Sequence, residues 1–429
     1  MTKNQEFFLA VLKHFSHPEE TVPDGGMLSG KDWMEVLHLA SLHAVLPPVF
    51  EHAWNAEGFL SLPAEIRDEY KQKSKKLVAM QMQSTAFFLE YYKRLCGEDS
   101  GPLVMKGIIC REMYPIPDYR VSSDEDLLVK REEFPELEET LLDCGFVKER
   151  EEEAGMGTPR DPDTDGEMEG TEQSLDELHE VTFLHPRAGL RLEVHLSLFP
   201  ESSESYGRFN REFEDVFERS SVREIREIPV YTLGETQHML YLLLHGLKHF
   251  LHSGFGIRQL CDMTLFAERF GGRIDWKEVE ECARRQDFYV FWMNLFDIGE
   301  RYLGFSWERA GLARPPADIL DSGDMLEDML ASGIYGKSSP DRLHSANMTL
   351  QASSRMSGRR SGVMASLFPG YDYMVRRYPW LLERKWLLPA AWLKRIAAYR
   401  REIKGRSVMG AAKTGKQRVE LLKKYRIIK

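Results

Sequence analysis

The chain has 429 residues, and its 68 acidic against 57 basic side chains leave a formal net charge of −11. Its five cysteines are scattered without Cys-x-x-Cys spacing, which argues against a disulfide framework and against a zinc knuckle. No apolar run approaches the roughly 18 residues of a membrane-spanning helix, and the first residues lack a signal-like segment. The length allows two or three packed units, and we expect a cytoplasmic protein.

The first third of the chain changes its pattern once. Residues 1–97 have apolar residues at spacings of three and four, which predicts helices. After Gly101, a short apolar run ends at Lys106 and Gly107 and predicts a strand that leads into a helix. The run VSSDEDLLVK predicts a second strand, and FPELEETLLDCGF predicts a helix that ends at Gly145.

Residues 149–179 are acidic and rich in glycine, with few apolar side chains, which predicts an insertion outside the core. Within it, DPDTDGEMEGTE has the spacing of an EF-hand calcium loop from Asp161 to Glu172. The preceding GMGTPR does not favour the helix that should flank such a loop. Calcium binding and a solvated acidic loop therefore both stay open.

Strand patterns resume at EVTFLHP and GLRLEVHLSL, and the Pro-Arg-Ala-Gly between them predicts a hairpin turn. From Thr236 onward the spacing is helical again. We therefore predict an α+β fold, in which N-terminal helices and a C-terminal helical domain flank a small mixed β-sheet module. The predicted units are residues 1–97, 98–233 with the insertion, 234–352 and a basic helical tail, 353–429.

The tail differs from the rest of the chain in charge. Residues 355–429 carry 20 Lys and Arg against 4 Asp and Glu. Such a segment predicts an anionic partner, nucleic acid or a membrane surface, and it equally fits a solvated helical face. Its aromatic stretch WLLPAAWLKR could lie on a membrane, but we expect Trp386 and Trp392 to pack against the helical domain.

Three carboxylates in the predicted strands could share metal ions. Side chains alternate along a strand, so Asp124 and Asp126 point to one side. Glu193 lies on the polar face of its strand with His195. Mg²⁺ prefers oxygen ligands and keeps room for phosphate oxygens, and two such ions can hold both oxygens of a displacement at phosphorus. A solvated strand edge is the simpler interpretation, since Asp-x-Asp is common.

Basic and flexible residues near these acids favour a phosphate ligand. Gly107 lets backbone approach a phosphate at the start of a helix, and Lys106 adds a positive charge there. Arg120 lies four residues before Asp124, and its guanidinium can hold phosphate oxygens in two places.

The run MKGIICREMYPIPDYRVSSDEDLLV resembles an uncharacterised nucleotidyltransferase family of the DNA-polymerase-β-like superfamily, whose members have Lys-Gly, Tyr-Pro and then Arg-x-x-x-Asp-x-Asp. LRLEVHLSLF resembles that family's Glu-x-His strand, and His179 resembles the His that often opens the strand before it. Further similar segments are DWMEVLHLASLHAVLP, LLLHGLKHF, IRQLCDM and LFPGYDYMVRRYPWLLERKWLLPAAWLKR.

The resemblance implies a nucleotidyltransferase fold in which Asp124, Asp126 and Glu193 bind Mg²⁺ or Mn²⁺. Such an enzyme moves a nucleoside monophosphate from an NTP to a hydroxyl-type acceptor and releases pyrophosphate. The chain departs from the superfamily in two places, because Lys106-Gly107 replaces Gly-Gly or Gly-Ser and Glu125 replaces an apolar residue. The alternatives are a non-catalytic nucleotide-binding or regulatory protein on this fold, and a nucleic-acid-modifying enzyme anchored by the tail.

A polar stripe in the helical domain is expected to form the other wall of this site. Its members are His245, Lys248, His249 and His252, at helical spacing. We predict that His249 and Arg258 face the carboxylates and bind the nucleotide, since a triphosphate and three acids need positive partners. A structural role and a zinc site are alternatives for the stripe, and an Arg258–Asp262 helix salt bridge is the alternative for Arg258.

Overall fold

The computed structural model describes residues 1–149, 178–333, 370–394 and 408–428, apart from positions 23, 98–99, 204, 253, 372–373, 376–377 and 383. The EF-hand-like segment Asp161–Glu172 lies outside the described residues, as do residues 353–369 and 395–407 of the basic tail. Within the described ranges, no helix has the length and apolar character needed to cross a membrane.

The N-terminal segment is helical, as its periodicity predicts. Thr2 and Ser29 begin two of its helices, and each hydroxyl accepts a hydrogen bond from the third residue of the helix in a capping box. The helices of this segment are α1 (Lys3–Ser16), α2 (Gly30–Leu42), α3 (Leu46–Ala53), α4 (Glu57–Leu60) and α5 (Ala64–Leu95).

A mixed sheet follows, with the strand order β3-β4-β5-β2-β1-β7-β6. Its strands are β1 (Leu103–Met105), β2 (Glu125–Leu128), β3 (Val147–Lys148), β4 (Glu180–His185), β5 (Leu190–His195), β6 (Ser221–Ile225) and β7 (Ile228–Thr232). In the described ranges, the α-helices between these strands are α6 (Gly107–Arg111) and α7 (Phe134–Asp143). The predicted β4–β5 hairpin is confirmed as an antiparallel pair, and β2 runs parallel to β5.

The β6–β7 hairpin has no counterpart in the sequence prediction. Its two turn residues, Arg226 and Glu227, have φ angles of 49° and 65°. Two-residue turns of this kind usually use glycine or asparagine, so the chain lacks the residues that normally mark such a hairpin.

The C-terminal part is helical and shares its core with the N-terminal helices. The α-helices that the structure bounds in this part are α8 (Glu235–Leu251), α9 (Ile257–Phe270), α10 (Trp276–Arg285), α11 (Tyr289–Leu303), α12 (Gly323–Ser332) and α13 (Val408–Lys424). One apolar cluster joins residues of α1–α4 with those of α8–α12, and a second lies between the sheet and α5–α7. The α+β fold predicted from the sequence is confirmed.

The described residues of the tail only partly match the expectation. Arg418 of α13 donates to the carbonyl oxygens of Phe250 and His252, so this helix holds the end of α8. The indole of Trp386, by contrast, is 76% exposed, and Trp392 packs in a small cluster with Met374 rather than in the large helical core. The predicted packing of Trp386 against the helical domain is wrong, because its segment forms a separate apolar cluster.

Candidate active site

The two central strands place the predicted metal ligands side by side. Asp126 of β2 lies directly opposite Glu193 of β5 in the parallel ladder. His195 Nε2 lies 3.3 Å from Asp126 Oδ1, and ligand atoms of these three residues all lie within 4.8 Å of one another. Asp124 is half-buried just before β2, where the hydroxyl of Ser123 donates to its carboxylate.

The carboxylates carry more negative charge than the nearby cation balances. Partial burial and then the charges of Asp124, Glu180 and Asp126 raise the pKa of Glu193 well above its usual value. Burial also opposes ionisation of Asp126, but the Lys106 ammonium holds the pKa of Asp126 below its usual value. Oxygen ligands grouped under mutual repulsion fit a hard divalent cation, which would relieve that repulsion.

Lys106 forms an ion pair with Asp126 of this group, and its backbone is strained. Burial disfavours its ammonium, but the charge of Asp126 raises its pKa, and Nζ lies 2.9 Å from Asp126 Oδ1. The residue has φ 45° and ψ −116°, a conformation that costs a non-glycine residue about 1–3 kcal/mol. Its N–H donates to His238 Nε2 at 3.3 Å, so helix α8 holds this conformation.

Glu125, between the two aspartates, points away from them and braces the start of α6. Its carboxylate accepts from the N–H of Ile108 at 2.8 Å and from the buried guanidinium of Arg111. Arg111 in turn donates to Thr85 Oγ1 of α5 at 2.9 Å. A Cβ on Gly107 would lie 2.0 Å from Glu125 Oε2. The helix start predicted to bind phosphate therefore gives the Ile108 N–H to a carboxylate of the chain itself.

Helix α8 lines the site with histidines that are held neutral. His245 Nε2 accepts from Lys106 Nζ at 3.2 Å, and His249 Nε2 lies 2.6 Å from His245 Nε2. Burial and then the Lys106 charge lower the pKa of both rings well below the usual value. Burial and then Arg223 lower the pKa of His238 to about 3. His249 is thus linked to Asp126 through His245 and Lys106.

The guanidinium groups of Arg120 and Arg258 donate hydrogen bonds to groups other than the three predicted metal ligands. Arg120 makes two hydrogen bonds to Asp262, at 3.1 and 2.7 Å, and Tyr114 donates to the same carboxylate. Arg258 donates to the carbonyl oxygen of Val121, in the loop that leads to Asp124. The Arg120 guanidinium, which the sequence predicts to hold phosphate, is thus bound to Asp262. Asp262 pairs with Arg120 and not with Arg258, the partner that the sequence analysis gives as an alternative.

Sequence reasoning missed residues of the site that carry a readable signal. His238 and Tyr241 continue the stripe of His245 and His249 backwards at spacings of three and four. The Tyr241 ring lies 5.6 Å from Lys106 Nζ. Extending the stripe by two turns would have included both residues.

One of the comparisons with known proteins identifies a family for this chain. A family model described as an uncharacterised nucleotidyltransferase matches residues 29–304, more than half of the chain. The chain therefore belongs to this uncharacterised nucleotidyltransferase family. No curated protein and no solved structure matches it.

Proposed function

We propose that the protein is a metal-dependent nucleotidyltransferase that moves a nucleoside monophosphate from an NTP to a hydroxyl-type acceptor, with release of pyrophosphate. The observation that carries the proposal is the direct pairing of Asp126 with Glu193 on parallel strands, close to Asp124. The raised pKa of Glu193 supports it, because burial and the charges of the neighbouring acids outweigh the positive charge near this carboxylate.

Asp124, Asp126 and Glu193 would hold Mg²⁺ or Mn²⁺, which when bound stabilises negative charge on the phosphate oxygens. Lys106 would bind the triphosphate as a second positive group. Its contact with His245 and its constrained backbone fix the ammonium beside Asp126. Positioning of the reactants and neutralisation of their charge account for most of the rate enhancement in enzymatic phosphoryl transfer.

The remaining predicted residues fit supporting roles. Gly107 allows the close approach of the Glu125 carboxylate. The contacts of Arg120 and Arg258 favour holding the loop before Asp124 in place over direct contact with phosphate. His249 would act on Lys106 through His245.

The proposal is tested by Asp126→Asn. Loss of one metal ligand should lower Mg²⁺-dependent pyrophosphate release by about 100-fold or more, as removal of one charge-stabilising group commonly does. The fold should persist, because the amide oxygen still accepts from Lys106. Each NTP is incubated with the full chain and a cell extract, and mass spectrometry detects the modified acceptor. Asp143→Asn, an exposed carboxylate at the end of α7, is the matched control.

Full activity in folded Asp126→Asn protein would overturn the proposal. Tight NTP binding without pyrophosphate release from any extract would favour the non-catalytic nucleotide-binding protein instead.

A further inference from the structure

A second group of potential ligands lies beside the carboxylates, where strands β4 and β5 meet. Glu180 and His195 are directly opposite each other in the antiparallel ladder. His179 precedes β4, and its carbonyl oxygen accepts from the N–H of Leu196 at 2.8 Å, which extends the ladder. Glu180 Oε2 lies 3.5 Å from His179 Nε2 and 3.6 Å from His195 Nδ1.

The hydrogen bonds around the two rings fix where their protons lie. Ser197 Oγ donates to the carbonyl oxygen of Phe199 at 3.1 Å, so it must accept from His179 Nδ1, which lies 3.1 Å away. His195 Nε2 faces the Asp126 carboxylate, which can only accept, so this nitrogen carries the ring proton. When it is neutral, each ring therefore presents a lone pair on its other nitrogen.

These two lone pairs and a carboxylate oxygen converge with no donor between them. His179 Nε2 and His195 Nδ1 are buried nitrogens without a hydrogen-bond partner among the residues that the structure describes. His195 is only 4% exposed. Three acceptors that face one another repel unless a cation lies between them.

Two of the three ligand separations are close to those around one metal ion, and all three ligand atoms lie within 4.8 Å of one another. Around a tetrahedral ion with bonds of about 2.0–2.1 Å, ligand atoms are about 3.3 Å apart. The two carboxylate–imidazole separations are only slightly longer than that, at 3.5 and 3.6 Å. The other nitrogen of each ring also makes a hydrogen bond, from His179 to Ser197 and from His195 to Asp126. Such outer hydrogen bonds usually orient metal-binding histidines.

We propose that His179, Glu180 and His195 bind a divalent transition-metal ion of the Zn²⁺ class. Two imidazoles with one carboxylate suit this class, whereas Mg²⁺ prefers oxygen ligands. Glu180 is 39% exposed on its side chain, so a fourth position is open to water. The ion would lock the His195 ring and thereby hold its Nε2–H on Asp126, which links this site to the proposed catalytic carboxylates.

The binding test uses the full chain without NTP, so its outcome does not depend on nucleotidyl transfer. Chelator-treated protein receives one equivalent of Zn²⁺ in excess Mg²⁺, is desalted, and its metal content is measured by mass spectrometry. We expect about one bound ion per chain in the unaltered protein. In His179→Gln and Glu180→Gln, the affinity should fall by more than the roughly 10–100-fold that loss of an outer hydrogen bond causes.

Matched controls separate this site from its neighbours. His38→Gln and Glu224→Gln change exposed residues of the same types and should keep the ion. Glu193→Gln should also keep it. Co²⁺ should give the intense visible absorption of a four-coordinate site, and Glu180→Gln should abolish that band. Circular dichroism of each variant verifies that it is folded, and the exposed position of Glu180 makes its variant the safer of the two.

Two results would overturn the proposal. The first is that the unaltered protein retains no more Zn²⁺ than folded Glu180→Gln. The three residues would then not bind a metal ion. The second is Zn²⁺ that is lost in Glu193→Gln and kept in His179→Gln, which would place the ion on the carboxylates instead.

Discussion

Lys106 and Gly107 show how single residues determine the shape of the site. Both have positive φ angles, 45° and 28°, at the point where β1 turns into α6. Lys106 tolerates this conformation because His238 accepts its N–H and Asp126 binds its ammonium. Gly107 is needed because the Glu125 carboxylate occupies the space of a Cβ. The backbone and the charges are thus fixed by the same contacts.

Gly107→Ala should destabilise the protein more than Gly189→Ala. Both glycines have positive φ, 28° and 60°, but a Cβ at Gly189 would meet nothing within 4 Å. At Gly107 the added methyl must displace Glu125 from Ile108 and Arg111. Weakening a buried charged hydrogen bond costs about 1–3 kcal/mol, and urea unfolding measures the difference. Equal losses in the two variants would show that only backbone strain matters.

Stability should also fall as the pH is lowered. The pKa of buried His238 is about 3 in the folded protein against an ordinary value of 6.5. The unfolded chain therefore takes up a proton below about pH 6.5 that the folded chain refuses, and this ring stabilises the fold fully only above that pH.

The expected slope is up to about 1.4 kcal/mol per pH unit for one such group. His238→Gln keeps an acceptor for Lys106 and should show a shallower fall between pH 7.5 and 5.5 in urea unfolding. Exposed His38→Gln should keep the full slope. Identical slopes in all three proteins would contradict a neutral His238.

At the scale of elements, strands β3 and β4 explain how the acidic insertion is accommodated. Val147 pairs with Leu184, and the N–H of Glu149 donates to the carbonyl oxygen of Thr182 at 2.9 Å. The residues on either side of the insertion thus lie in one antiparallel ladder, which a short turn could also close.

Replacing residues 150–176 by a short Gly-Ser linker should leave the melting temperature nearly unchanged. The insertion has too little apolar surface to offset the entropy of ordering its backbone. Thermal unfolding of the two proteins measures this, and a large loss of stability would show that the insertion packs on the body. A calorimetric calcium signal that disappears in the deletion would assign the ion to Asp161–Glu172.

In the whole molecule, the sheet and the helical part meet at Lys106, which contacts both Asp126 and His245. The carboxylates come from β2 and β5, whereas the histidines around Lys106 come from α8. The N-terminal helices share the core of the helical part. Ligand binding at the site should therefore stabilise the whole fold.

Mg²⁺ with a non-hydrolysable NTP should raise the melting temperature. A ligand at about 100 times its Kd stabilises the folded state by about 2.7 kcal/mol, and relief of the repulsion around Glu193 adds to this effect. The rise in melting temperature, measured by calorimetry, should be largest when Mg²⁺ and the NTP are both present. It should be much smaller in Asp126→Asn. A shift of equal size in that variant would place nucleotide binding elsewhere.

Patterns among residues close in the sequence predicted many of the strands and helices of this protein. Strand geometry repeats every two residues, so residues close in the sequence predict strands and their faces. They predicted the strand that contains Asp126, the polar face that carries Glu193, and the β4–β5 hairpin. The helices follow similarly from spacings of three and four. The position of the acidic insertion outside the core stays a prediction, because residues 150–177 lie outside the part of the chain that the structure describes.

Only the tertiary structure decided which charges pair with one another. Arg120 meets Asp262 across 142 positions and Lys106 meets His245 across 139, distances over which no periodicity carries information. The β6–β7 hairpin was hidden because Arg226 and Glu227 adopt positive φ without a marker residue. Sequence patterns report which side of an element is polar, whereas packing of distant elements decides what that polar side contacts.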